Sequence, residues 1–363
     1  MAKSKETKQE RSWIFYDWAN SVYATIIMAA IYPIYFAAVV PDGDVWWGYG
    51  TSIATFTVAL LAPVLGAVAD YKGMKKKLFT FFLLLGVVFT SVMAISDNWK
   101  LMLVGYIFSY IGFSGSCLFY DSFLTDVTTP ERMDAVSAKG YAMGYIGGST
   151  IPFLLAIALM MLVLPDNTAL AVKLSVVLTS VWWLVFSIPM LKNVEQTHSL
   201  GEIPPHFIRT TLKNVLHTFV QITRDKAILL FMIAYFFYID GVGTVIHMST
   251  AYGSTLGLGT TGMILALLVT QLVAAPCSIW FSKLSAKIGS IKMIGIAIIV
   301  YFIICSVGFY MGFSLEPHQA RYEQALEEHY AQPLAQIADT DALALLQRML
   351  LYADYAHRTY IRL

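Results

Sequence analysis

Nine stretches of this chain stay apolar for about the 20 residues that a helix needs to cross a bilayer core. They are 13–40, 48–69, 77–96, 101–124, 138–164, 169–191, 227–251, 262–282 and 291–313. A peptide group in hydrocarbon finds no water, so each such segment must satisfy its own N–H and C=O groups, which a helix does. The expected fold class is therefore all-α, a polytopic membrane helix bundle. Turn residues divide most of the runs, as in PDGD at 41–44, SDNW at 96–99 and LPDN at 164–167. Composition agrees: apolar residues make up 58% of the chain and charged residues 13%, against about 25% charged in an average soluble chain.

Lysine and arginine orient the bundle. With the N-terminus inside, the cytoplasmic segments 1–11, 72–77, 132–139, 192–226 and 283–292 hold 18 of the 24 basic residues. The outer loops between spans hold only Lys100 and Lys173. Trp46, Trp47 and Trp99 fall at predicted outer interfaces and Trp13 at an inner one, as an aromatic belt requires. The polar start, MAKSKETKQER, leads into an apolar run too long for a signal-peptide core, so that run is read as a retained span. The expected location is a cell (cytoplasmic) membrane, crossed many times.

The same counts narrow the function classes. A net charge of +1 leaves no basic surface for nucleic acid. Cys117, Cys277 and Cys305 stand at unrelated spacings in apolar runs and suggest neither a metal site nor a disulfide framework. No cofactor is expected. No nucleophile beside a histidine is visible, so an enzyme is not expected.

The chain divides into a six-helix part at 1–192, a polar cytoplasmic linker at 193–226, three further spans at 227–313, and a polar amphipathic tail at 314–363 expected outside the membrane. Six spans followed by a long central loop suggest a two-half transporter.

The loop between the second and third spans reads GAVADYKGMKKK, Gly66 to Lys77. A glycine, an aspartate four residues on, a glycine three beyond it and then basic residues resemble the loop signature of the major facilitator superfamily. Gly66 suits close helix packing, Asp70 suits a helix N-terminus or a basic partner, Gly73 suits a tight turn, and Lys75 to Lys77, with Lys76 in the signature, hold the loop inside. FSKLSAKIGSIK, Phe281 to Lys292, is similar to a second copy, with Gly289 and Lys292 kept, Ser282 in place of the first glycine and Ala286 in place of the aspartate. Three longer stretches resemble one branch of that superfamily, the autophagy-related vacuolar amino-acid effluxers and their bacterial relatives. They are YDWANSVYATII from Tyr16, DSFLTDVTTPERMDAVSAKGYAMGYIGG from Asp121 and FFYIDGVGTVI from Phe236. The resemblance covers roughly 11–312. It implies a major facilitator bundle, with nine of an expected twelve spans present, and solute transport, amino-acid export being the branch's best-known activity.

Within this frame a few polar residues stand out. Asp17, Asn20, Ser21 and Ala24 share one helix face at i, i+3, i+4 and i+7, so Asp17 and Asn20 are candidate solute contacts. Asp17 lies near the start of its span, where an acid also serves as an interfacial cap. Asp240 lies mid-span, where a carboxylate is costly and marks a substrate or proton path. His247 follows two turns on and titrates near neutral pH, so the two are candidates for proton coupling. Tyr23 and Tyr238 are candidates for a solute cavity, with Tyr16, Trp182 and Trp183, although packing or lipid-facing roles explain them equally well. Asp121 and Asp126 are expected to pair with cytoplasmic cations such as Arg132 or Lys139. Gly140, Gly144 and Gly148 recur every fourth residue and read as a helix-packing face.

The expected activity is movement of a small solute through a lipid bilayer by alternating access. A non-transporting membrane scaffold or binding protein, using its tail to hold a partner, or a non-functional fragment, is the alternative.

Overall fold

A computed structural model describes residues 6–202, 207–255 and 260–336. Among these the regular structure is entirely helical, and nine helices are long and apolar enough to cross a membrane: Lys8–Ala37, Val45–Ala69, Met74–Ile95, Trp99–Val127, Pro130–Val163, Thr168–Asn193, Lys226–Gly243, Ala266–Ile288 and Ser290–Ser314. They match the nine apolar runs in order. Boundaries differ by up to about eight residues, and two of the differences matter. The fifth helical stretch begins at Pro130, because a short turn over Pro130–Arg132 leads straight into helix. The last helix continues unbroken to Gln336, so 314–336 prolongs the ninth span instead of forming a separate tail helix. The rest of the expected tail, 337–363, lies outside the described residues.

The chain forms two compact units, Met1–Ala234 with Leu268–Met293, and Tyr235–Leu267 with Ile294–Leu363. The first unit contains the first six spans and a linker helix, Phe207–Arg224. Its centre is the first span. Trp183, Tyr16, Tyr23, Tyr106, Phe79 and Phe119 are all buried there to the point of vanishing exposure. The third and fourth spans lie so close that a Cβ on Gly112 would sit 2.5 Å from the Gly86 Cα. Only glycine on both sides permits that approach.

The start of the first span is fixed by its sequence. Thr7 Oγ1 accepts from the Glu10 amide while Glu10 Oε2 accepts from the Thr7 amide, a reciprocal capping box. Glu10 is buried and reaches further: it accepts from Thr128 Oγ1 at 2.7 Å and from Arg132 at 2.8 Å. The helix start is thereby tied to the turn after the fourth span.

Candidate functional site

Since Thr7 and Glu10 cap the first helix, Asp17 lies more than two turns inside it and is not the cap. Its surroundings are set by the glycines of the fifth span. A Cβ on Gly140 would stand 2.5 Å from Asp17 Oδ2 and 3.2 Å from Tyr120 Oη. One on Gly144 would stand 2.6 Å from Ser21 Oγ, one on Gly148 would stand 2.8 Å from the Asp17 carbonyl oxygen, and one on Gly147 would overlap the Trp18 ring. The glycine face is a groove, and the Asp17–Ser21 face of the first span is seated in it. Missing side chains on one helix make room for polar ones on its neighbour.

The Asp17 carboxylate lies beside Tyr120 and Asn20, with Asp121 in its electrostatic reach. Tyr120 is held from the other side. Its ring stacks on Trp13 at 4.3 Å and its carbonyl oxygen accepts from Trp13 Nε1 at 2.8 Å. The buried Tyr120 hydroxyl has the Asp17 carboxylate as its neighbouring acceptor. Asn20 is buried, its Oδ1 accepting only a long 3.4 Å bond from Ser21 Oγ. A carboxylate, an amide and a hydroxyl with bonding capacity to spare can hold an ammonium group or a proton.

The opposite side of the first span is packed solid. Tyr16 Oη donates to Ser116 Oγ at 3.1 Å and accepts from Trp183 Nε1 at 3.2 Å. Tyr23 Oη and Ser109 Oγ share a 2.7 Å bond, and the Tyr23 ring stacks on Phe113 at 4.7 Å. Tyr23, expected as a solute contact, is thus fully enclosed and bonded. Trp182 donates from Nε1 to the Trp18 carbonyl at 3.0 Å. These aromatics pack the core.

The signature loop is placed in detail. Gly73 has φ +72°, the left-handed turn expected of it. Gly66 has no described atom within 4 Å of an added Cβ, so its expected packing role has no partner in the first unit. The Asp70 carbonyl accepts from the Leu200 amide at 2.8 Å, the Lys72 amide donates to the Gly201 carbonyl at 2.9 Å, and Gln196 Nε2 donates to the Ala69 carbonyl at 2.9 Å. The first residues of the linker therefore strap the loop down. Lys76 lines a surface groove with Lys72, Gly73 and Lys77.

The buried cation of the loop is Lys75. Its Nζ donates to Asp126 Oδ2 at 2.7 Å and to the Ser122 carbonyl at 3.2 Å. Asp126 Oδ1 accepts from the Thr197 amide and hydroxyl, both at 3.0 Å, and from the His198 amide at 2.9 Å, with His198 Nδ1 at 3.1 Å. The expected partners of Asp126 pair elsewhere: Arg132 with Glu10, and Lys139 with Glu6. The signal was in the sequence. Lys75 falls in register with Phe79, Phe82, Leu83 and Gly86, the buried face of the third span.

The second unit carries the other candidates. Asp240 and Tyr238 lie on the helix Lys226–Thr255; within that unit Asp240 is exposed and Tyr238 partly so. His247 is on the same helix, but its side chain lies outside the described residues. Among the described residues no group of three or more His, Cys, Asp and Glu could hold a metal ion.

The sequence profile of the vacuole effluxer Atg22-like family matches residues 46–132 and 125–332. The chain is 43% identical over 323 residues to an uncharacterized MFS-type transporter, YxiO, of Bacillus subtilis (strain 168), covering 85% of this chain and 75% of that protein. It is 24% identical over 130 residues to autophagy-related protein 22 of Yarrowia lipolytica (strain CLIB 122 / E 150), covering 30% of this chain and 22% of that protein. With nine helices apolar enough to cross a membrane among the described residues, a major facilitator loop and a match over most of its length, the chain belongs to the Atg22-like family of major facilitator transporters.

Proposed function

We propose that this membrane transporter carries a small solute by alternating access, with an amino acid as the first candidate and export as the direction. The observation that supports the reading most is the seating of Asp17 in the glycine groove of the fifth span, with Asn20 buried beside it. A carboxylate inside a bundle is costly unless it is used. Asp17 would hold the solute's ammonium group, and Asn20 would supply donors to its carboxylate. Tyr238, on the seventh span, is a further candidate solute contact, and Tyr23 serves as packing within the first unit. The loop of Gly66, Asp70, Gly73 and Lys76 would gate the passage, and Asp240 with His247 would carry the coupling proton. The amino-acid assignment rests on the likeness to the effluxer family.

Purified protein in proteoliposomes, offered a panel of labelled amino acids, tests this. Asp17→Asn and Asn20→Ala should each weaken solute binding, the former about tenfold or more because a charged hydrogen bond is lost. Unchanged flux in both variants would remove the site from the reading. No flux of any amino acid would remove the substrate class.

A further inference from the structure

We propose that the linker helix Phe207–Arg224 lies in the membrane interface, its apolar face in the lipid and its basic arc on anionic phospholipid headgroups. The sequence of the helix is FIRTTLKNVLHTFVQITR. Apolar residues recur at 208, 212, 215, 219 and 222, steps of four and three that keep them on one face. Basic residues recur at 209, 213 and 224, again on one arc, and 207–224 contains no Asp or Glu. A helix with one apolar face and a cationic polar face is the pattern of segments that lie flat at the headgroup boundary.

Its direct connection to the seventh span argues for that boundary. A single residue, Asp225, separates it from the seventh span. Asp225 Oδ1 accepts from the amides of Ala227 at 2.9 Å and Ile228 at 3.2 Å, which caps the start of the span. The Asp225 amide still bonds back to the Gln221 carbonyl at 3.1 Å. One helix ends where the next begins, so the end of the linker helix stays at the membrane surface. The helix also touches the second span.

Val215 and Ile222 are half-buried, but Phe219 is 67% exposed and lies between them in register. Lys213, His217 and Arg224 are exposed on the other arc. An apolar strip one residue from a membrane span, on a helix that carries cations and no acid, matches an anionic lipid surface. It does not match a soluble partner, which would have to compete with the bilayer for the same strip.

The full chain is tested in nanodiscs of phosphatidylcholine, alone or with phosphatidylglycerol, doped with a phospholipid carrying a diazirine in its acyl chain. Photolabelled peptides are mapped by mass spectrometry. Label is expected on the peptide spanning 213–224, and more of it with phosphatidylglycerol present. Val215→Asn with Phe219→Asn should abolish that label while leaving label on the sixth span, which reports an intact bundle. Lys213→Gln with Arg224→Gln should lower the preference for phosphatidylglycerol by up to about thirtyfold, at about one decade and a half for two interfacial cations. Lys213→Arg with Arg224→Lys should keep it. An unlabelled wild-type helix beside a labelled sixth span overturns the proposal, since the face is then covered by protein. Equal labelling of the asparagine variant, or an undiminished lipid preference in the glutamine variant, overturns it as well.

Discussion

Lys75 Nζ stands 2.7 Å from Asp126 Oδ2, with the two side chains 8% and 0% exposed. The pair joins the start of the third span to the end of the fourth. The second carboxylate oxygen extends the junction to Thr197 and His198, beyond the end of the sixth span. Two membrane helices and the start of the linker thus meet on one carboxylate. A buried ion of this kind persists only when its remaining lone pairs are filled, and here the linker fills them.

Removing both partners should therefore cost less than the two single losses added together. Lys75→Met leaves a buried carboxylate without its cation, and Asp126→Asn leaves a buried ammonium without its anion; each should cost about 3–5 kcal/mol. The double variant Lys75→Met, Asp126→Asn keeps an acceptor for the linker and no unpaired charge. It should recover at least about 1 kcal/mol relative to the sum of the single losses. Thermal unfolding in detergent measures this, and additive losses would show that the two groups are not coupled.

The glycines separate into three kinds. Alanine at Gly112 would drive its Cβ into the Gly86 backbone, which cannot give way, so about 1–3 kcal/mol should be lost or the protein should fail to accumulate. Alanine at Gly66 meets no described atom within 4 Å and should be neutral or stabilise by up to about 1 kcal/mol, since alanine is the better helix former. Alanine at Gly140 meets the movable end of Asp17 at 2.5 Å, so that variant should fold while its transport falls. Size-exclusion melting curves and flux on the same preparations distinguish the three. Gly112→Ala as stable as Gly66→Ala would contradict the close helix contact.

All nine spans were readable from the sequence because bilayer thickness sets the length of an apolar run, and hydrocarbon leaves the backbone little choice but helix. The glycine recurrence at 140, 144 and 148 was readable as packing for the same local reason. What sits in the groove was not, because pairing Gly140 with Asp17 spans 123 positions in the chain and depends on which helices become neighbours. The same limit explains Asp126. Charge counting offered Arg132 and Lys139, its near neighbours in sequence, whereas Glu10 and Glu6 hold those two and Lys75 reaches Asp126 from another helix. Tyr23 shows the reverse error: an aromatic on a polar helix looked available, yet the fourth and sixth spans close over it.

The linker strap makes a milder prediction. Thr197 Oγ1 donates to the Asp126 carboxylate and its backbone carbonyl, both at 3.0 Å. Thr197→Val keeps the shape and the amide bond but loses the hydroxyl, so about 0.5–1.5 kcal/mol should go. The loss falls on the strap, not on the bundle. Limited proteolysis should then cut faster within 195–201 while the melting temperature of the bundle barely moves. Unaltered cleavage would mean that the amides of Thr197 and His198 hold the strap without help.

Asp240 gives the sharpest test of energy coupling. Its neutral analogue, Asp240→Asn, keeps size and hydrogen-bonding capacity but cannot exchange a proton near neutral pH. If Asp240 carries the coupling proton, flux driven by a pH gradient should disappear. Exchange of labelled for unlabelled solute at equal pH on both sides should persist, because that mode needs the solute site but no net proton movement. His247→Gln should give a weaker form of the same result, since a histidine two turns along the same helix would assist proton exchange without being its only route. Both modes lost together would place Asp240 in solute binding or folding. Both modes kept would leave the seventh span with no part in coupling and turn the search back to Asp17.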